Sequence, residues 1–315
     1  MAGRLRSVEA FIADAVAAGP RPVEESAGYV LAAGGKRLRP ALVLVVAQAL
    51  GVDGDQATRF AAVIEMIHTA TLVHDDIIDH AKTRRGRETA NHRWGDQLTV
   101  LLGDWLYTRA TELAIQAGDI EIIRILSSAI LQMTEGEILG LVELGHADTN
   151  QAAYLDITRR KTGELFAAAA AIPTCFSPRV AAYREPLAEY GRSLGISFQI
   201  IDDLLDVTAT AHQLGKPVFS DLREGKLTLP FILLLPHLAP TDRARVERVL
   251  DTRQLGGDDE HHLRALLDRH DVITSARELA AAHGRRASEA LAALPPSPER
   301  DALALAPSFV LHREF

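Results

Sequence analysis

Phe60-Ala-Ala-Val-Ile-Glu-Met-Ile-His-Thr-Ala-Thr-Leu-Val-His-Asp-Asp-Ile-Ile-Asp79 decides the fold class of this chain. Its apolar residues do not alternate. They cover most of a helical wheel, and Glu65, His68, Asp75, Asp76 and Asp79 share the remaining arc of about 100°. A helix apolar nearly all round is a buried one, so its polar stripe must face an internal cavity rather than bulk water. The same design returns at Gln199-Ile-Ile-Asp-Asp-Leu-Leu-Asp206. In each Asp-Asp-x-x-Asp triplet, Asp75, Asp76 and Asp79 or Asp202, Asp203 and Asp206, the first and last carboxylates are i,i+4 neighbours. Like charges so placed repel weakly in water and strongly once water is excluded, so cations must offset them. Carboxylate oxygens are the ligands that Mg²⁺ prefers. A single triplet could be a solvated acidic patch, but two matched triplets in apolar surroundings argue for a metal-lined pocket between helices.

Working outward, helical spacing dominates and β-branched alternation is scarce. The periodicity predicts helices near 4–18, 24–33, 39–50, 56–80, 95–117, 119–144, 150–172, 179–207, 224–236, 241–253, 259–269, 271–293 and 297–312. That is an all-α single domain over residues 1–315, a bundle of about ten to thirteen helices. The segment Leu294-Pro-Pro-Ser-Pro298 only separates the last two helices. With 315 residues, 47% of them apolar, the chain can bury a substantial core. A net charge of −8 argues against a nucleic-acid-binding protein. The single Cys175 excludes an internal disulfide framework, suits a reducing cytoplasm and reads as a small buried hydrophobe. Neither a signal peptide nor a membrane span is expected.

Basic residues gather locally, in Gly34-Gly-Lys36-Arg37-Leu-Arg39-Pro40 and Lys82-Thr-Arg84-Arg85-Gly-Arg87. In an acidic chain such clusters suggest a small anionic ligand. The first is a turn entering a helix, where backbone N–H groups and side chains can converge on an anion. The second follows the first triplet directly, and arginine's planar fork suits bidentate phosphate contacts. Lys161-Thr162-Gly163 opens an Ala-rich helical stretch, and Lys216 and Lys226 flank Asp221 after the second triplet. Six carboxylates and two diphosphates of roughly −3 each would need a few Mg²⁺ ions and about six Lys or Arg side chains for neutrality. Neither the acids nor the bases make sense alone.

Taken in order, Gly34-Gly-Lys-Arg-Leu-Arg-Pro40, the stretch Glu65 to Asp79, Arg84-Arg-Gly86, Leu102-Gly-Asp104, Lys161-Thr-Gly163, Phe198 to Asp206, Gly225-Lys226 and Thr228-Leu-Pro230 resemble the trans-isoprenyl diphosphate synthases across nearly the whole chain. The resemblance implies the isoprenoid synthase fold, an all-α bundle around a deep central cavity, in a homodimer. It implies a prenyltransferase that condenses isopentenyl diphosphate with an allylic diphosphate by ionisation, addition and proton loss, with water excluded by an apolar wall. It places a trinuclear Mg²⁺ cluster on Asp75, Asp79 and Asp202, supported by Asp76, Asp203 and Asp206. Arg84, Lys161, Thr162, Gln199, Lys216 and Lys226 would serve the allylic diphosphate. Lys36, Arg39, His68 and Arg85 would serve isopentenyl diphosphate.

Product length is expected from the residues a turn or two before Asp75, because helical side chains lean toward the N-terminus. Ala70, Thr71 and Ile67 form an open floor with no aromatic stop, and the flanking motifs look most like octaprenyl-type enzymes. A long all-trans polyprenyl product bound for a membrane is therefore expected, with Trp105 or Leu106 as the deeper stop. The alternatives are a medium-chain farnesyl or geranylgeranyl diphosphate synthase and a non-catalytic partner subunit. The intact second triplet disfavours a terpene cyclase. A di-iron bundle would need several Glu-x-x-His pairs where only Glu65 and His68 match. Two departures from the family pattern stand out: the loop Gly215 to Asp221 is poor in Gly and Asp, and Gly140-Leu141 lacks an expected Gln.

Overall fold

A computed structural model describes residues 1–209 and 218–313. It is all-α, as the periodicity predicts, apart from one short ribbon. The first ten helices are α1 (Ala2–Ala17), α2 (Arg21–Leu31), α3 (Leu38–Ala49), α4 (Asp55–Ile78), α5 (Ala90–Trp94), α6 (Asp96–Ile115), α7 (Ile120–Val142), α8 (Gln151–Thr158), α9 (Glu164–Ala171) and α10 (Arg184–Thr208). Helices Leu229–Leu234, Pro240–Thr252, Gly257–Arg269, Val272–Ala290 and Pro298–Leu311 follow. The helix expected over 95–117 starts after Gly95, which takes φ 82° and divides it from the short, unexpected α5. The stretch expected to be continuous over 150–172 is broken. Between α8 and α9, Arg159–Gly163 form a π-helical turn, a rare geometry that often marks functional sites. The segment Thr83 to Glu88, expected as loop, is a two-stranded antiparallel ribbon in which Arg84 pairs with Arg87. Its turn residues Arg85 and Gly86 both have positive φ, 53° and 71°, the conformation of a type I′ hairpin turn.

The described chain divides into two compact units, Met1–Ser128 with Leu165–Ala188 and Ala293–Asp301, and Ala129–Glu164 with Glu189–Ala292 and Ala302–Phe315. In the first unit α4 is the central element, packed by α1, α3 and α6. Phe60 to Ile67 are buried without interruption, as expected of a helix apolar nearly all round. The packing of α6 on α4 depends on Gly103. A Cβ there would fall within 2.5 Å of the His74 ring, which is fixed by the Val100 carbonyl at 3.1 Å and lies 3.5 Å from Asp104. Gly103→Ala is expected to cost about 1 to 3 kcal/mol of overpacking and to lower Tm by roughly 3 to 10 °C in a thermal melt; an unchanged Tm would refute this packing.

In the second unit α10 carries the second triplet. The last helix, Pro298–Leu311, contains Pro307, whose missing N–H leaves the Leu303 carbonyl without its helical donor. The buried Tyr190 hydroxyl, on α10, donates to that carbonyl at 2.8 Å. Gly284 makes room for the proline ring, whose Cβ would lie 3.3 Å from a Cβ at that position. The last helix is thus keyed to α10 and ends close to the triplet.

Candidate functional site

In the first unit, the turn Gly34 to Arg39 changes direction through left-handed residues, Gly34 at φ 73° and Arg37 at φ 48°. Arg37 folds back onto α4 and pairs with buried Glu65. Arg37, the one cation of this turn not expected at a diphosphate, spends its charge on that carboxylate. Arg39 lies 3.1 Å from His68 Nε2 and 4.5 Å from the Phe166 ring centre. Burial pushes its guanidinium down to about 10, and its Nε is buried with no partner. His68 is held well below the usual imidazole range by burial and then by Arg39, Arg85, Arg84 and Arg37. It is therefore neutral, and because Nε2 accepts from Arg39 its proton sits on Nδ1.

The ribbon places the two arginines that follow the triplet. Arg84 Nε donates to Asp76 Oδ1 at 2.7 Å, which explains how Asp76 tolerates 6% exposure. Burial nevertheless raises the Asp76 pKa against the pull of Arg84. Arg85 sits over Gly35, where a Cβ would meet its Nη1 at 3.0 Å. Burial, then Arg84 and Arg37, lower the Arg85 pKa. Arg37, Arg84 and Arg85 line one pocket with Glu65, His68 and Asp76. Arg37 and Arg84 are paired with Glu65 and Asp76, so the pocket offers an anion chiefly the guanidinium of Arg85 and the neutral imidazole of His68. Lys36 is exposed at the same turn, and Asp75 and Asp79 lie partly exposed at the end of α4.

In the second unit the triplet is not three equivalent ligands. Asp202 is half exposed and lies 3.1 Å from Arg313. Asp203 and Asp206 are buried, at 4% and 2% exposure. Asp203 accepts from the Tyr154 hydroxyl at 2.6 Å and from Gln199 Nε2 at 2.8 Å. Gln199 Oε1 accepts from the Thr162 hydroxyl at 2.9 Å. Tyr154 is set by α8, whose first turn is capped by Asn150 accepting from Ala152 and Ala153 N–H groups. Asp206 accepts from the backbone N–H groups of Ser220 and Asp221, both at 3.2 Å, and so ties the returning chain to α10. Lys161, on the π-turn, pairs with Glu137. Gly136 lets α7 approach that turn, since a Cβ there would lie 2.8 Å from Lys161 N. Lys226 pairs with Glu224 at 2.9 Å. Lys216 and the start of the loop Gly215 to Asp221 lie outside the described residues.

Burial raises the Asp203 pKa to about 7. A carboxyl with a raised folded pKa contributes stability below its unfolded pKa and loses it as pH rises through the folded value. In chelator, stability should therefore fall between about pH 4 and 7, and Asp203→Asn should flatten the fall by roughly 5 °C in Tm. Parallel wild-type and variant melts across that range would refute the assignment.

Among the described residues, no three carboxylate, imidazole or thiolate side chains are gathered into a ready cage for a metal ion. The donor set still fits magnesium, which keeps several waters and commonly binds through one or two carboxylates plus substrate phosphates. Asp75, Asp79 and Asp202 are the triplet members not sealed in the core. Of the floor residues, Ile67 and Ala70 are buried on α4, while Thr71 spends its hydroxyl on the His68 carbonyl at 2.8 Å. The Trp105 ring packs against Gly19, at the junction of α1 and α2, and Leu106 is fully buried. Sequence reasoning missed Tyr154, Glu137 and Arg313, whose contacts arise from the fold rather than from any local pattern.

By length and composition alone the helix Ile120–Val142 is long and apolar enough to cross a membrane, and 22% of its most apolar window is buried. Ile120, Leu131, Ile138 and Val142 are exposed on it.

Residues 20–267 match the family model described as Polyprenyl synthetase. The octaprenyl diphosphate synthase of Escherichia coli K12 is 37% identical over 278 residues, covering 87% of this chain and 85% of that protein. A short chain isoprenyl diphosphate synthase of Methanothermobacter thermautotrophicus is 36% identical, covering 94% of this chain and 91% of its own. A polyprenyl synthase of Caulobacter crescentus CB15, solved with calcium and isoprenyl diphosphate, superposes with a TM-score of 0.94 at 35% identity, covering 99% of this chain and 95% of that one.

Proposed function

Because the chain belongs to the polyprenyl synthetase family and is a prenyltransferase, we propose that it extends an allylic diphosphate by successive additions of isopentenyl diphosphate to a long all-trans product of about C30 to C50, the tunnel direction following from the lean of α4 side chains. The observation that carries the reading is the paired motif itself, two Asp triplets each held in a buried helix beside basic groups. The divalent cation and isoprenyl diphosphate in the Caulobacter crescentus protein support the same chemistry here.

Asp75, Asp79 and Asp202 are assigned to Mg²⁺. When bound, the metal would supply Lewis-acid stabilisation of the diphosphate that departs. Asp203 and Asp206 act as positioning residues for α10. Arg84 is assigned to the allylic diphosphate, with Lys161, Gln199, Lys216 and Lys226. Thr162 orients Gln199 by donating to its Oε1, which leaves the amide N–H groups for Asp203 and for an anion. Lys36, Arg39 and Arg85 are assigned to isopentenyl diphosphate, and neutral His68 offers it an Nδ1 proton. Ile67 and Ala70, with no aromatic above them, leave room for the growing chain, and Leu106 is a better stop than Trp105, which is engaged at Gly19. The apolar wall of α4 keeps water from a carbocation.

Neither compact unit is a contiguous piece of sequence, which supports reading 1–315 as one catalytic domain. The exposed apolar face of α7, interrupted by Arg124, Glu135 and Glu137, suits burial against a second copy of this cytoplasmic chain better than a lipid phase. The test is magnesium-dependent transfer of labelled isopentenyl diphosphate onto dimethylallyl, geranyl, farnesyl or geranylgeranyl diphosphate. Transfer that chelator abolishes is expected with at least one primer; no transfer with any of them would overturn the proposal.

A further inference from the structure

The last described residue of the chain sits on the second triplet. Arg313 places Nη2 3.1 Å from Asp202 Oδ1, and its guanidinium lies 4.9 Å from the Phe198 ring centre. Its side chain is 15% exposed, while that of Asp202 is 50% exposed. The Nε and Nη1 atoms of Arg313 are buried and have no hydrogen-bond partner. A guanidinium that gives up water on two nitrogens for one carboxylate contact and a ring face is poised rather than locked. Its arrival is not the wandering of a free tail. The helix that ends at Leu311 is keyed to α10 by the Tyr190 bond to Leu303 and to the helix Val272–Ala290 by the seat of Pro307 on Gly284.

We propose that Arg313 is a stopper on Asp202: in the metal-free chain it neutralises that carboxylate, and it is displaced when Mg²⁺ and an allylic diphosphate bind. The inference rests on reading Asp202 as a metal ligand. Its consequence is a linkage: metal and guanidinium compete for one carboxylate, so the apparent metal affinity is reduced by the fraction of chains in which the stopper is out. The C-terminal turn is then released only in the loaded enzyme, and its accessibility reports occupancy.

The experiment uses the full chain with farnesyl thiodiphosphate, an allylic diphosphate analogue that binds without ionising, and follows its binding by calorimetry as Mg²⁺ is titrated. Arg313→Gln is expected to lower the half-saturating Mg²⁺ about threefold to tenfold. Phe198→Leu, which removes only the ring under the guanidinium, should shift it in the same direction by less, and carries the test if Arg313→Gln folds poorly. In parallel, trypsin should cleave wild-type after Arg313 faster with Mg²⁺ and the analogue than with chelator. Equal half-saturation in wild-type and both variants overturns the stopper, and weaker binding in Arg313→Gln overturns it in favour of a diphosphate contact. No Mg²⁺-dependent binding in wild-type would instead overturn the reading of Asp202 as a metal ligand.

Discussion

Asp75→Asn and Asp202→Asn should each lower the rate of isopentenyl transfer about 10³-fold while leaving the melting curve near wild-type. A lost metal carboxylate removes several kcal/mol of stabilisation from charge developing on the departing diphosphate, and each 1.36 kcal/mol is a factor of ten. Asp202 is half exposed and Asp75 partly so, and neither is sealed in the core, so stability should survive. Asp206→Asn should behave in the opposite way, because that carboxylate is 2% exposed and holds two backbone N–H groups. Steady-state rates and thermal melts of the three variants separate ligands from supports. Equal loss of stability in all three would refute the division of the triplet.

The second large effect is on product size. Ala70 is 3% exposed on α4, five residues before Asp75. A tyrosine there would project a ring toward the N-terminal end of the helix, into the volume assigned to the growing chain. Ala70→Tyr is therefore expected to shift products from about C30 to C50 down to about C15 to C20, with the first condensation nearly unchanged. Reversed-phase sizing of labelled products reads the shift directly. An unchanged ladder would move the tunnel away from Ala70.

The fold was largely legible because α4 and α10 carry their burial in their periodicity, and long amphipathic patterns survive tertiary context. What periodicity could not foresee were short, local features: α5 ahead of Gly95, the π-turn under Lys161, and a ribbon closed by Arg85 and Gly86. An Arg-Gly pair between short polar stretches carries too little hydrophobic contrast to announce strands. At the site, spacing alone treats the three Asp of a triplet alike, and only the family resemblance set Asp75, Asp79 and Asp202 apart from the supporting Asp76, Asp203 and Asp206. Folding distinguishes them by angle around the helix, so that Asp203 and Asp206 point into hydrogen-bonded interior while Asp202 meets solvent and Arg313. Tyr154 and Arg313 reach the second triplet from distant sequence positions, and no local pattern encodes such contacts. Arg37 is set apart from the flanking Lys36 and Arg39 by a left-handed backbone that turns it onto Glu65.

Long-chain elongation by a magnesium-dependent enzyme is read out by the product ladder grown from one primer. Purified chain would be given farnesyl diphosphate, excess labelled isopentenyl diphosphate and Mg²⁺, and the dephosphorylated alcohols sized by chromatography. A distribution ending at about C30 to C50 is expected, set by the small side chains below Asp75. A ladder that stops at about C20, or the absence of any product longer than the primer, would contradict it.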